Sequence, residues 1–247
     1  MKKWIKGQIA GKRQWSDTLF SLQLEAPLED FSAGQFIKVA MDIDGERVGR
    51  PYSLVNAPEQ RPLEIYFNEV PEGPLTPRLS RLAQGDPIWI SEKASGIFTL
   101  ERIPVCQDLW LFATGTALGV YLSILNTDAP WERFDNIILI HGCRTADELT
   151  YGDTIQGFID RYPEQFRFMP MLSREASGDI ARGRVTDLFE NGALEKKIDL
   201  RIDPSTSHVM LCGNSGMIKD MKTLLEKRGL QRNGARTPGQ YTTEQYH

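Results

Sequence analysis

Polar and apolar residues alternate in short runs over the first part of this chain and then give way to solid apolar blocks. The runs Trp4 to Ala10, Ser16 to Leu24, Gly34 to Met41 and Leu63 to Asn68 repeat every second residue, which buries one face of a strand. Gly11, Pro27 and the hairpin-type pair Asp44-Gly45 punctuate them, and Ile88-Trp89-Ile90 follows a further turn at Gly85-Asp86. Strands this short and this evenly spaced predict a small antiparallel β-barrel that ends near residue 100. Inside it, Gly73-Pro74-Leu75-Thr76-Pro77-Arg78-Leu79 predicts a short helix with Thr76 as its N-cap, Pro77 at the first helical position and free N–H groups facing outward, an end that attracts phosphate.

From Asp108 the pattern changes. Leu109 to Ala113, Ile137 to Ile140, Phe166 to Met171 and His208 to Cys212 are continuous apolar runs separated by helical stretches, the pattern of parallel strands covered on both faces. The predicted architecture is therefore β + α/β: an N-terminal antiparallel β-barrel over 1–100 and a Rossmann-like parallel α/β domain over 101–247. Ala113-Thr114-Gly115-Thr116-Ala117-Leu118-Gly119 leads from the first of these runs into a helix, a glycine-bearing turn of the kind that seats a dinucleotide pyrophosphate. It is an incomplete G-x-G-x-x-G fingerprint, because Ala117 stands where the second glycine falls. Cys212-Gly213-Asn214 closes the last run before a helix from Met217 to Arg228, and a cysteine there also serves as a small apolar filler.

Charge sharpens this picture. Arg144 follows the second apolar run, Arg174 the third, and Arg184 opens the next helix. Carboxyl ends of parallel strands share one edge, so these arginines can converge on one anion, and a nicotinamide dinucleotide without a 2′-phosphate would not require so many; in the positions of the family named below, the three together favour NADPH over NADH. A net charge of -4 argues against nucleic-acid binding. No apolar run approaches the roughly 20 residues of a membrane span, and Met1 to Lys6 has no signal-peptide core, so we expect a cytoplasmic protein with no membrane attachment. Cys106, Cys143 and Cys212 are too widely spaced for a disulfide framework or a metal site.

The stretch Arg50-Pro51-Tyr52-Ser53-Leu54 adds a cation, an aromatic plane and a hydroxyl within a few residues. If it is extended, Arg50 and Tyr52 share one face, and that pair suits a flavin dinucleotide, with the ring against Tyr52 and the pyrophosphate on the guanidinium fork. Arg-x-Tyr-Ser resembles the flavin-binding motif of the ferredoxin-NADP reductase superfamily. The likeness is nearest to the bacterial ferredoxin (flavodoxin)-NADP reductases and runs along essentially the whole chain.

That resemblance implies an FAD-binding barrel, an NADP-binding α/β domain and a C-terminal tail that returns to the flavin. It implies that Pro74, Leu75 and Thr76 hold the FAD pyrophosphate beside Arg50, and that Tyr66, Phe67, Asn68 and Glu69 line the flavin. Gly115, Thr116, Arg144, Thr145, Arg174, Arg184, Cys212, Gly213 and Asp220 fall on NADP positions, with Thr116 also close to the flavin. In the tail, Thr243, Glu244, Gln245, Tyr246 and His247 belong with FAD, Tyr246 covering the ring face opposite Tyr52. The chain ends in Tyr-His where the relatives end in Tyr-Trp. Ser53, Cys212 and Glu244 take the catalytic positions. The implied activity is electron transfer between NADPH and a one-electron carrier, ferredoxin or flavodoxin, by a monomer. The basic residues Lys227, Arg228, Arg232 and Arg236 either attract such acidic partners or merely suit a helix C-terminus capped by Gly229. Two alternatives stay open: an NAD(P)H reductase of free flavin or of an oxygenase component, and a non-catalytic flavin-binding redox sensor.

Overall fold

The computed structural model describes residues 3–234 and 237–246. They fold into two compact units, one formed by residues up to Thr99 together with Gly119–Thr127, the other by Leu100–Leu118 and the chain from Asp128 onward. The first contains β1 (Trp4–Gln14), β2 (Leu19–Glu25), β3 (Phe36–Ile43), β4 (Glu46–Ser53), β5 (Leu63–Asn68) and β6 (Pro87–Ser91). These strands pair antiparallel in the order β4-β3-β6-β1-β2-β5. Leu54, just past β4, bridges Ile65 of β5, so the two ends of the sheet meet and leave no long open edge. Alternate side chains such as Leu22, Leu24, Ile37, Val39, Ile88 and Ile90 fill the interior. Asp44 and Gly45 both take positive φ, 52° and 83°, the geometry of a two-residue turn whose twist matches its flanking strands.

Two local expectations need correction here. Gly11 does not end a strand; it sits at a bulge inside β1, which continues to Gln14 through exposed polar residues that carry no apolar signal. Thr76 is not an N-cap. The helix α1 (Thr76–Leu79) has Leu75 at that position, and the Thr76 hydroxyl instead accepts from the Val70 N–H at 2.9 Å, pinning the preceding loop. The side chain of Leu75, buried in the barrel core, fixes the turn from inside.

Helix α2 (Leu118–Leu125) is apolar all round and buried all round, as such a sequence must be. Its residues from Gly119 pack with the first unit. A Cβ on Gly119 would lie 3.2 Å from Val55 Cγ2 and 3.6 Å from Tyr66 Cβ, and the Ser123 hydroxyl donates to the Asn56 carbonyl at 2.8 Å.

The second unit holds β7 (Asp108–Thr114), β8 (Asn136–Cys143), β9 (Phe166–Leu172), β10 (Ala181–Arg182), β11 (Ser207–Gly213) and β12 (Tyr241–Gln245), with α3 (Ala129–Arg133), α4 (Gly152–Arg161), α5 (Val185–Glu190), α6 (Ala193–Ile198) and α7 (Ser215–Lys227). All pairings are parallel, in the order β10-β9-β8-β7-β11-β12. Trp110, Phe112, Ile138, Ile140, Val209 and Leu211 of the central strands join Phe189, Met217, Met221 and Leu225 of the helices in one core. The chain runs outward from β7 to β10 and then returns to β11 on the other side of β7, so strand order reverses between β7 and β11. Ligands of open α/β sheets bind outside the carboxyl ends of the strands at such a reversal. Among the described residues, no helix is long and apolar enough to cross a membrane.

Candidate functional site

In the first unit the Arg50-Pro51-Tyr52-Ser53 stretch is extended, as its alternation predicts. It forms the end of β4, an outer strand of the pairing order, where the missing N–H of Pro51 is tolerated. Arg50 is exposed, with its guanidinium donating to the Gly49 carbonyl at 2.9 Å, and it lies near enough to the Tyr52 hydroxyl to act on it electrostatically. Burial nevertheless raises the Tyr52 phenol to about 12, so it is neutral in water at ordinary pH. The Tyr52 ring stands edge-on to Phe67, 6.0 Å between centroids and 72° between planes. Ser53 is buried.

In β5, Ile65 and Phe67 point into the barrel and Tyr66 points the other way, yet all three are buried. Asn68 follows, and its Oδ1 is buried with no hydrogen-bond partner. A buried polar atom left unpaired costs roughly 1–3 kcal/mol, so this amide has the character of a group made to bind something. A guanidinium, an aromatic plane and an unpaired amide fit a flavin dinucleotide. Glu69 is held by its backbone N–H on the Thr18 carbonyl at 2.7 Å, and Pro74 is exposed at the tip of the pinned loop.

In the second unit the reversal between β7 and β11 is built by two glycines. Gly115 has φ +56° and nothing within 4 Å of where a Cβ would be, so its backbone faces open space. Gly213 has φ +127°, and a Cβ there would come within 2.1 Å of Thr114 Oγ1. The Thr114 hydroxyl accepts from the Asn214 N–H at 2.8 Å, tying the ends of β7 and β11 together. The Asn214 side chain caps α7 by accepting from the Gly216 and Met217 N–H groups. His141, wholly buried in β8, places Nε2 at 3.0 Å from the Gly115 carbonyl, and burial lowers its pKa to about 4, so it is a neutral donor to the glycine turn. Thr114, His141 and Asn214 have no role in the sequence-based assignment.

The tail forms a sixth parallel strand. In β12, Thr243 pairs with Leu211, Glu244 with Cys212 and Gln245 with Gly213. The Tyr246 N–H then donates to the Gly213 carbonyl at 3.2 Å, and its side chain hydrogen-bonds the Cys212 thiol. Burial and the neighbouring Glu244 raise the Cys212 thiol well above its ordinary range. Burial raises Glu244 to about 7, and its Oε2 is buried without a partner. Beside the two glycines, register thus assembles a thiol, a carboxyl that titrates at neutral pH and a phenol. His247 lies outside the described residues.

The predicted arginines do line one edge. Arg144 follows β8, Arg174 follows β9, and Arg184 is the N-cap of α5 just after β10. The Arg174 N–H donates to the Arg144 carbonyl at 3.0 Å, and the Gly183 N–H to the Leu172 carbonyl at 2.9 Å, so these strand ends are laced together. All three arginines are exposed, Thr145 is half-buried beside them, and Asp220 is exposed on α7. The basic segment is less available than its sequence suggests. Arg228 is bound to Glu195 at 2.7 Å and lies over the Phe189 ring at 4.1 Å, a packing role, while Arg236 lies outside the described residues.

Residues 11–94 match the family model of the oxidoreductase FAD-binding domain, and residues 111–223 that of the oxidoreductase NAD-binding domain. The chain is 44% identical over 220 residues, 89% of each sequence, to a flavodoxin/ferredoxin-NADP reductase of Escherichia coli. It is 41% identical over the full length of both to one from Buchnera aphidicola. A crystal structure of a ferredoxin NADP+ reductase from Neisseria gonorrhoeae with bound FAD and NADP superposes with a TM-score of 0.94 at 28% identity, covering 99% of each chain. Identity at this level over nearly the whole of both sequences places the chain in the family of flavodoxin/ferredoxin-NADP reductases.

Proposed function

We propose that this protein uses bound FAD to move electrons between NADPH and a one-electron carrier protein, a ferredoxin or a flavodoxin. The observation that carries the reading is the cluster at the ends of β11 and β12, where Cys212 and Glu244 face each other in register next to Gly115 and Gly213. FAD, when bound, exchanges a hydride with a nicotinamide and releases the two electrons one at a time, which joins a two-electron donor to a one-electron acceptor. The protein's own residues bind and orient. Arg50 takes the FAD pyrophosphate with the turn at Pro74, Leu75 and Thr76, Tyr52 supplies a neutral ring face, and Tyr66, Phe67, Asn68 and Glu69 line the flavin, with Ser53 beside it. In the second unit, Gly115 and Thr116 admit the NADPH pyrophosphate, and Arg144, Thr145, Arg174 and Arg184 hold its 2′-phosphate. Cys212 and Glu244 position the nicotinamide, and Glu244 holds a proton there that it can exchange near neutral pH. We place the protein in the cytoplasm as a monomer.

The test is anaerobic stopped-flow spectroscopy of the purified flavoprotein. NADPH should bleach the flavin absorbance with a kcat/KM well above that of NADH, and oxidised ferredoxin or flavodoxin should restore it. A bound flavin that NADPH leaves oxidised, or one that NADH reduces more efficiently, would overturn the proposal.

A further inference from the structure

Arg144 already has an anion. Glu148, four residues on, places Oε1 at 2.7 Å from the Arg144 Nε, and its Oε2 accepts from the backbone N–H of the same arginine at 2.9 Å. One carboxylate therefore holds both the side chain and the main chain of Arg144, folding the guanidinium back over the turn formed by residues 145–148. That turn is braced from a second side, because the Glu175 carboxylate accepts from the Ala146 N–H at 2.5 Å. The side chain of Glu148 is 14% exposed and that of Arg144 52%, so the carboxylate is held in place while the guanidinium remains open to solvent and to a ligand.

An incoming 2′-phosphate must share this guanidinium with Glu148 or displace it. We infer that Glu148 is a specificity-determining residue that competes with the NADPH 2′-phosphate for Arg144 and so weakens NADPH binding without touching NADH. The inference rests on the assignment of Arg144 to the 2′-phosphate made above. A visiting nucleotide must leave as readily as it arrives, and an internal competitor at the most charged end of the ligand gives that release without changing the nicotinamide end. Glu175 is spent on a backbone N–H and is no such competitor.

The test compares the FAD-loaded wild type with Glu148→Gln, which keeps the shape of the side chain and one of its two acceptor oxygens and removes its charge. With ferricyanide as acceptor, the KM for NADPH should fall about three- to tenfold, the size of one partly exposed ion pair acting on a doubly charged group. The KM for NADH should not move. Inhibition by adenosine 2′-monophosphate should tighten by the same factor, while that by adenosine 5′-monophosphate stays constant. Glu148→Asp, which restores the charge, should return values toward the wild type. An unchanged or raised KM for NADPH in Glu148→Gln sinks the inference. Arg144→Ala separates the two levels: if it leaves adenosine 2′-monophosphate inhibition intact, the arginine assignment itself fails. If it weakens that inhibition while Glu148→Gln changes nothing, the competition alone is refuted.

Discussion

Replacing Glu244 with glutamine tests the protonation state of the tail cluster. Burial raises the Glu244 carboxyl from its ordinary 4.5 to about 7, and its Oε2 is buried without a partner. Below pH 4.5 the group is protonated in the folded and unfolded chains alike, so its ionisation adds no cost. Between 4.5 and 7 the unfolded chain ionises while the folded one holds its proton, so folding stability falls as pH rises, by about 1.4 kcal/mol per unit. Above 7 both are ionised and the penalty levels off at about 3 kcal/mol, an upper figure because β12 is an edge strand that water can reach. The glutamine amide that replaces the carboxyl does not titrate but leaves its own buried polar atom, a roughly constant cost of about 1–3 kcal/mol. The slope with pH therefore carries the information. Urea unfolding of the flavin-bound wild type and Glu244→Gln, measured from about pH 4.5 to about 8.5, should show the variant gaining on the wild type up to pH 7 and then running parallel. The same substitution should remove a limb near pH 7 from the rate of flavin reduction by NADPH. A stability difference that is flat across this range would refute both the burial argument and the role built on it.

Gly115 and Gly213, at the reversal of strand order, should respond differently to substitution. Gly213→Ala forces a methyl against Thr114 Oγ1 at a φ of +127°, so calorimetry should show a loss of about 3–5 kcal/mol, and a loss under about 1 kcal/mol would contradict the turn described. Gly115→Ala meets open space at a φ of +56°, so it should cost only about 1 kcal/mol of stability yet raise the KM for NADPH at least about tenfold, because its methyl enters the space given to the pyrophosphate. Unchanged KM with lowered stability would mean that no ligand backbone approaches there. At Tyr52 the neutral ring matters more than the hydroxyl, so Tyr52→Phe should retain FAD through gel filtration while Tyr52→Ala weakens FAD binding about tenfold. Equal retention by both variants would remove the ring from the site.

The strands of both sheets are legible because one face of each barrel strand, and both faces of each central parallel strand, must be apolar. The alternation over Leu63–Asn68 matches β5 to the residue, and the Asp44-Gly45 hairpin follows from its need for two positive φ angles. The anchors between strands are not legible. Thr76 carries an N-cap residue type but stands one position inside the helix, and its hydroxyl is claimed by the Val70 N–H six residues back, a loop contact that propensity does not encode. Thr114 and Asn214 are a hundred residues apart and meet because the strand order reverses between β7 and β11. His141 could have been found. It follows the unbroken apolar run Ile137 to Ile140, and a polar ring carried to the end of a strand buried on both faces needs an internal partner, which proves to be the glycine turn.

The tail shows why composition alone could not deliver the site. Tyr241-Thr242-Thr243-Glu244-Gln245 has one large apolar residue, and nothing in its polarity distinguishes a strand from a solvated end. It is held by backbone hydrogen bonds to β11 and by Tyr241, whose fully buried side chain reaches Glu226 of α7. Once Tyr241 sets the register opposite Val209, residues at matching steps along the two strands must face each other, and Glu244 is delivered to Cys212 three residues later. A one-residue slip would turn Glu244 to the other face of the sheet. The buried tyrosine, three residues before the carboxyl, therefore decides whether that carboxyl meets the thiol, and the polar residues between them only have to fit the edge of a sheet.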